Sequence, residues 1–371
     1  MERGTRVLHV SQPVEEGVAM VVADLVRRQV ADGHQVTVAC PAQGYLPGAV
    51  KAAGATHMAW EATRSPGPSA LAEARRLSRV VKAARPQVVN LHSSKAGLAG
   101  RLALRGRIPT VFTPHAWSFF HTPGPMGKAA LGWERCAVRW ADAVVCNSDG
   151  ERRAGEEAGI HANFQVVMNS SQIDDLGLTQ RTARADLGLD SDRPIVLCFG
   201  RYAHQKGQDV LLAAWPRVQA AVPDAQLLLI GSGPEEEHLR ALAGDDVVFS
   251  ASGDRSQVVR WLLAADVLAF PSRWEGMSLA VLEALELGRP VVVTDCQGMA
   301  ESLAGGAGTM VPVEAPDELA DALIPYVKDR GHAQAVGELA GQRYREVHAP
   351  ARDERYRTYD DLLTRLIAAR R

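Results

Sequence analysis

The stretch from Pro271 to Pro290 stands between two apolar runs, Val267 to Phe270 and Val291 to Thr294. Strand, loop, helix and strand in that order form a crossover unit of a parallel sheet. The helix is apolar almost all round (Leu279, Ala280, Val281, Leu282, Ala284, Leu285, Leu287), which predicts burial. Gly288 and Pro290 stop it. Yet Glu283 stands in its middle, and a carboxylate in an apolar wall costs free energy unless something partners it. A second acid, Glu275, lies in the loop beyond the first strand, where open parallel sheets bind ligands. Between the two acids the amides of Gly276, Met277 and Ser278 open the helix, and helix N-termini attract anions. Two readings fit: a site for a ligand with hydroxyls at both ends and phosphate between, or a buried helix whose Glu283 pairs with a structural arginine.

The chain has 371 residues, enough for two domains rather than one ordinary core. A net charge of -2 without a polybasic block argues against a nucleic-acid partner. No apolar run approaches the roughly 20 residues that span a bilayer. Val7 to Val10, interrupted by His9, reads as a first strand and not as a signal peptide. The five cysteines are scattered, without a C-x-x-C pair, and three lie in or beside apolar strand-like runs. Reduced thiols and a cytoplasmic protein follow as expectations. No metal-ligand cluster is legible in the sequence, so no metal is expected.

Taken in order, the first half opens as a strand from Arg6, a loop from Pro13 to Val18, a helix from about Ala19 to Ala31 and a strand from Gln35 to Ala39. This is a Rossmann-like opening without a full G-x-G-x-x-G. Gly17 reads either as a close approach to phosphate or as a turn glycine. A Pro/Gly/Ser loop covers 62–69. Ser93 or Ser94 is expected to cap the next helix, with Lys95 in its first turn either meeting an anion or standing in solvent. His115 follows a central strand among aromatics, where packing and chemistry both remain open. The apolar stretch from Trp117 to Trp140, with Pro123 and Pro125 in it, reads as an acceptor-side lip, a membrane-contacting patch or a helix contact.

The pattern Ala-Asp, apolar strand, Ser recurs at 141–148 and 265–272, which argues for two Rossmann-like halves. The boundary falls near Gln172, dividing the chain into 1–172 and 173–371, with a terminal helix at about 351–371 expected to fold back on the first domain. In the second half Arg201 and Lys206 flank a tight loop between a strand end and a helix start. Two cations there are mutually unfavourable unless an anion is expected, and a diphosphate is the natural candidate. After a short strand from Val247 to Phe249, Ser250 opens a polar loop, 250–254, on the same edge and is read as a base contact.

Gly200-Arg201 with Lys206-Gly207, Gly231-Ser-Gly233, the Glu275/Glu283 E-x7-E frame and the histidine after a central strand together resemble the retaining glycosyltransferases of family 4. The resemblance covers nearly the whole chain, and with it comes the GT-B fold: α/β, two Rossmann-like domains with parallel sheets facing across a cleft. It implies a sugar nucleotide, UDP before GDP, and a hydroxyl acceptor, either a polyprenyl-linked or other glycan of surface polysaccharide assembly or a small molecule. By the resemblance Arg201 and Lys206 would neutralise the donor diphosphate, Glu275 would contact the sugar, and Glu283 the ribose. The amides from Gly276 to Leu279 would meet phosphate and sugar, His115 the transferred sugar, and Gly17 the diphosphate and acceptor. Transfer would be metal-free, with no cofactor, in the cytoplasm or peripherally at the inner membrane face. Three positions depart from the family's pattern. Glu15-Glu16-Gly17 stands where paired glycines are common, Asn169-Ser170 replaces Asn-Gly, and Met277-Ser278 replaces Phe-Gly.

Rival readings are an antibiotic-type glycosyltransferase of the same fold, a sugar-nucleotide epimerase, a non-catalytic nucleotide-sugar-binding module, and a glycoside hydrolase using Glu275 and Glu283 as its acid pair. The last leaves Arg201 and Lys206 without a task.

Overall fold

The computed structural model describes residues 3–63, 69–120, 122, 124–171, 173, 175–296, 298–303 and 306–370. Residues 64–68 of the expected Pro/Gly/Ser loop lie outside this set, as do His121, Pro123 and Gln172. The chain forms two compact units, Met1–Asn169 with Asp353–Arg371, and Ser170–Arg352. The first unit therefore ends a few residues before the expected boundary at 172, and it includes the end of the chain.

The first unit holds strands β1 (Arg6–Ser11), β2 (Gln35–Cys40), β3 (Thr56–Ala59), β4 (Val88–His92), β5 (Thr110–Thr113), β6 (Ala143–Cys146) and β7 (Phe164–Val166). They form one parallel sheet in the order β3-β2-β1-β4-β5-β6-β7. The second unit holds β8 (Ile195–Phe199), β9 (Gln226–Ile230), β10 (Val247–Ser250), β11 (Val267–Phe270), β12 (Val291–Thr294) and β13 (Thr309–Val311). These are also parallel, in the order β10-β9-β8-β11-β12-β13. Each order reverses beside the unit's first strand, so β1/β4 and β8/β11 are switch points, where such sheets open a crevice at the strand carboxyl ends. Strands such as β4, β11 and β12 are buried along their whole length, as a sheet covered by helices on both faces requires.

The echo between the halves has a structural cause. Asp142, just before β6, accepts the Thr110 N–H at 2.8 Å, and its own N–H is donated to the Thr110 carbonyl. Asp266, just before β11, accepts the Ile195 N–H at 2.7 Å, and its own N–H goes to the Ile195 carbonyl. Each aspartate thus closes the open start of a neighbouring parallel strand, whose first donor would otherwise be orphaned. Arginines neutralise both: buried Arg184 on Asp266 at 2.8 Å, and exposed Arg370 on Asp142 at 2.7 Å.

The terminal helix Ala349–Ala368 brings Arg355, Tyr356 and Tyr359 into the first unit. Arg355 and the Tyr356 hydroxyl meet Asp24, and Tyr359 meets Asn90 on β4. No described helix is long and apolar enough to cross a membrane.

Four local expectations are corrected. The first helix starts at Glu16, not near Ala19, so Gly17 lies in its first turn. The left-handed residue there is Glu16 (φ 62°), which removes the turn-glycine role from Gly17. Neither Ser93 nor Ser94 caps its helix; His92 is the cap residue and makes no side-chain capping bond. Lys95 does not stand in solvent, and the anion it meets belongs to the protein itself. It is buried and bonded to Glu73 at 2.8 Å, because the helix Ala70–Ala84 packs across its first turn. Trp117 belongs to the core, its indole N–H donated to the Glu151 carbonyl, while Phe120 and Met126 stay exposed.

Candidate functional site

The second unit places the loops after β8 and β11 side by side at its switch point. Gly207 makes this approach possible. Its φ is +66°, and a Cβ there would stand 2.0 Å from the Pro271 carbonyl oxygen. Lys206 from the first loop then ion-pairs with Glu275 from the second, and Ser272 Oγ donates to the same carboxylate at 3.1 Å. Arg201, half-buried just past β8, has its carbonyl held by Gln208 at 3.0 Å. The 231–235 segment braces it, with Tyr202 N–H on the Ser232 carbonyl.

Gly276, Met277 and Ser278 lead from Glu275 into the helix Leu279–Glu286. Ser278 is its cap residue and makes no side-chain capping bond, which leaves the first-turn amides open to a ligand. Gly298 fixes this turn from behind; with φ +79°, a Cβ on it would lie 2.4 Å from the Gly276 carbonyl oxygen. Met277 is buried, so only its backbone can serve.

Glu283 is 2% exposed and pairs with Arg255 Nη1 at 2.8 Å, as the structural-arginine reading required. Burial pushes its carboxyl up to about 7 despite the opposing pull of Arg255. Ser250 ends β10 half-buried, its carbonyl accepting from Gly231 N–H at 2.8 Å. The structure thus brings Lys206 and Glu275 into contact, and seats Glu283 with Arg255 one helical turn from the amides.

The first unit gathers a different set at its own switch point. His9 on β1, His92 at the end of β4 and His115 past β5 form a hydrogen-bonded row. The His9 Nδ1 to His92 Nε2 distance is 3.0 Å, and His92 Nδ1 to His115 Nε2 is 3.1 Å. Asn147 Nδ2 lies 2.9 Å from His115 Nδ1, and Gln29 Oε1 lies 2.8 Å from His9 Nε2. The two amides agree on one polarity. Asn147 donates to His115 Nδ1, each ring passes its Nε2–H to the next, and His9 Nε2–H ends on the Gln29 oxygen. This assigns three neutral imidazoles of a single tautomer. Burial drives His9 down to about 4, and His115 to about 3 with Arg355 adding to the effect. His92 falls well below its usual value, through burial first and its histidine neighbours second.

His115 and Ala116 have φ of 55° and 84°, a strained pair. Buried Glu151 holds them: its carboxylate accepts the Ala116 N–H at 2.6 Å and the Asn147 N–H at 2.7 Å. Both ring nitrogens of His115 are thereby engaged, so a sugar hydroxyl reaches the ring only by displacing Asn147 or His92.

Nothing in the sequence pattern singled out His9, His92, Asn147, Glu151 or Arg255. The available signal was positional: polar residues ending otherwise apolar central strands.

Two family models match the chain, Glycosyltransferase Family 4 over residues 16–170 and Glycosyl transferases group 1 over 193–329. A GDP-mannose-dependent monoacylated alpha-(1-6)-phosphatidylinositol monomannoside mannosyltransferase of Corynebacterium glutamicum is 34% identical over 211 residues. That match covers 53% of this chain and 55% of that protein. An alpha-maltose-1-phosphate synthase of Mycolicibacterium smegmatis is 30% identical over 300 residues, covering 72% of this chain and 76% of that protein. Among solved structures, Anabaena Alr3699/HepE in complex with UDP and glucose superposes with a TM-score of 0.81 at 18% identity. The superposition covers 97% of this chain and 99% of that one. The fold is that of the GT-B enzymes.

Proposed function

The chain belongs to glycosyltransferase family 4, and on that premise we propose that it moves a hexose from a nucleoside-diphosphate sugar to a hydroxyl of a lipid-linked glycan. The carrying observation is the cluster at the β8/β11 switch point, where Lys206, Glu275 and the uncapped helix start at Ser278 lie together beside Arg201. A diphosphate fits between cations and helix amides. Glu275 then exchanges part of its bond to Lys206 for sugar hydroxyls, and Glu283 accepts from the ribose. Ser250 stands toward the base, and His115 is the first unit's sugar contact. Gly17 contributes backbone alone.

The bond between the anomeric carbon and the diphosphate oxygen breaks as negative charge grows on that oxygen. Arg201 and Lys206 stabilise this charge, the task a metal ion serves in other transferases. The acceptor oxygen attacks the same face and its proton passes to the departing phosphate oxygen. Configuration is retained, and no protein nucleophile or metal is needed. The donor named for the 34% identical relative, GDP-mannose, supports guanosine ahead of the uridine inferred from sequence. The phosphatidylinositol monomannoside in that relative's name supports a lipid-linked acceptor.

Melting in EDTA with UDP, GDP, UDP-glucose and GDP-mannose tests this. Stabilisation by GDP-mannose above the others, growing with the logarithm of its concentration, is the expected result. Release of free sugar from a glycoside with no nucleotide present would sink the transferase reading.

A further inference from the structure

Arg273 lies between Ser272 and Glu275, and its side chain is 9% exposed. All five guanidinium N–H donors are used. Nη1 donates to the His204 carbonyl at 2.7 Å and to Asp209 Oδ1 at 2.8 Å. Nη2 donates to Asp209 Oδ2 at 2.7 Å and to Glu314 Oε2 at 3.2 Å, and Nε donates to Glu314 Oε1. The backbone joins in: Arg273 N–H is donated to the Gln205 carbonyl at 2.8 Å, and Gln205 Nε2 to the Trp274 carbonyl at 3.1 Å.

Three segments therefore meet on one planar cation: the 204–209 turn that carries Lys206, the 271–278 loop that carries Glu275, and the loop after β13 that carries Glu314. The Asp209 contact is bidentate, a geometry that a guanidinium makes and an ammonium cannot. Arg273 is saturated by these bonds, so it has no donor left for a ligand. What it sets is the separation of the two loops.

We propose that Arg273, with Asp209, is a positioning residue that holds Lys206 and Glu275 at the spacing a donor diphosphate and its sugar require. Arg255 and Glu283, on other elements, are not tied to it, so the nucleoside end of the site is independent of the clasp. This inference rests on the nucleotide-sugar reading above.

The test compares the full-length wild type with Arg273→Lys and Asp209→Asn. Titrations with GDP, GMP, UDP and UMP are set beside transfer kinetics and melting temperature. Arg273→Lys keeps the charge and loses the fork. It is expected to weaken binding of the preferred nucleoside diphosphate about ten-fold, with kcat falling further, while the matching monophosphate stays within about two-fold. Asp209→Asn moves the same way by less, which keeps the result readable if the lysine variant folds poorly. Diphosphate affinity and kcat unchanged in Arg273→Lys would overturn the proposal. So would equal loss of mono- and diphosphate, the mark of a merely structural role. A wild type that binds neither GDP nor UDP would instead overturn the donor reading, and the clasp's purpose with it.

Discussion

Residues 141–151 and 265–275 share one frame: Ala-Asp, an apolar strand, Ser148 or Ser272, and three residues later Glu151 or Glu275. The aspartates do the same thing in both units. The glutamates do not. Glu151 turns both oxygens onto backbone amides and fixes the strained His115–Ala116 turn. Glu275 faces the Lys206 ammonium and the Ser272 hydroxyl. A carboxylate saturated by amides is part of the scaffold, whereas one shared with a long flexible cation can trade that partner for a ligand. The same contrast runs through the surroundings: a neutral histidine row in the first unit, paired charges in the second.

The largest test of the contrast is a pair of truncations. Glu275→Ala is expected to lower kcat on the order of a hundred-fold while leaving the urea midpoint near wild type. Glu151→Ala strands two buried N–H groups at about 1–3 kcal/mol each, so its urea midpoint drops first and activity follows stability. Full stability in Glu151→Ala would break the comparison.

Acid should separate the units next. The folded pKa of His9 lies below its ordinary 6.5, so the stability it contributes is present above pH 6.5 and is lost as pH falls toward about 4. At 0% exposure it accounts for up to about 1.4 kcal/mol per pH unit. Glu283 has the opposite sign: raised from 4.5 to about 7, its contribution is full below 4.5 and is lost as pH rises through 7. Hydrogen exchange, corrected for intrinsic rates, should therefore show β1 and β4 losing protection from pH 6.5 to 5 while the helix Leu279–Glu286 gains it. Parallel changes in both would refute the sign assignment.

The finest effect is on the tautomers. In the wild type, 15N shifts should show pyridine-type Nδ1 and pyrrole-type Nε2 for His9, His92 and His115. Asn147→Asp replaces the donor by an acceptor and should protonate His115 Nδ1. An unchanged His115 signature would show that Asn147 does not set the polarity.

Much of this was visible in the chain itself. The apolar strands, the helix stops and the spacing of Arg201, Lys206, Glu275 and Glu283 depend on neighbours close in sequence. Periodicity and short motifs carry such information. Lys95 shows the limit. Its place in a first helical turn was correct, but its partner Glu73 comes from another helix, and no local pattern carries that pairing. The turn-glycine reading of Gly17 failed for a related reason: the chain placed its left-handed residue one position earlier, at Glu16, because the helix begins sooner than its apolar face.

Sequence alone determined two doubly wound units and which strand ends carry charge, because burial of alternating strands and helices leaves few other solutions. Tertiary structure decided which of those charges remain exchangeable. His9, His92 and His115 are 83 and 23 residues apart along the chain, and only the strand order β1-β4-β5 lines them up. Glu151 and Glu275 are interchangeable by sequence position. The amides that one meets and the ammonium that the other meets come from separate elements, and hydrogen bonds across such distances form only when the sheet has brought those elements together.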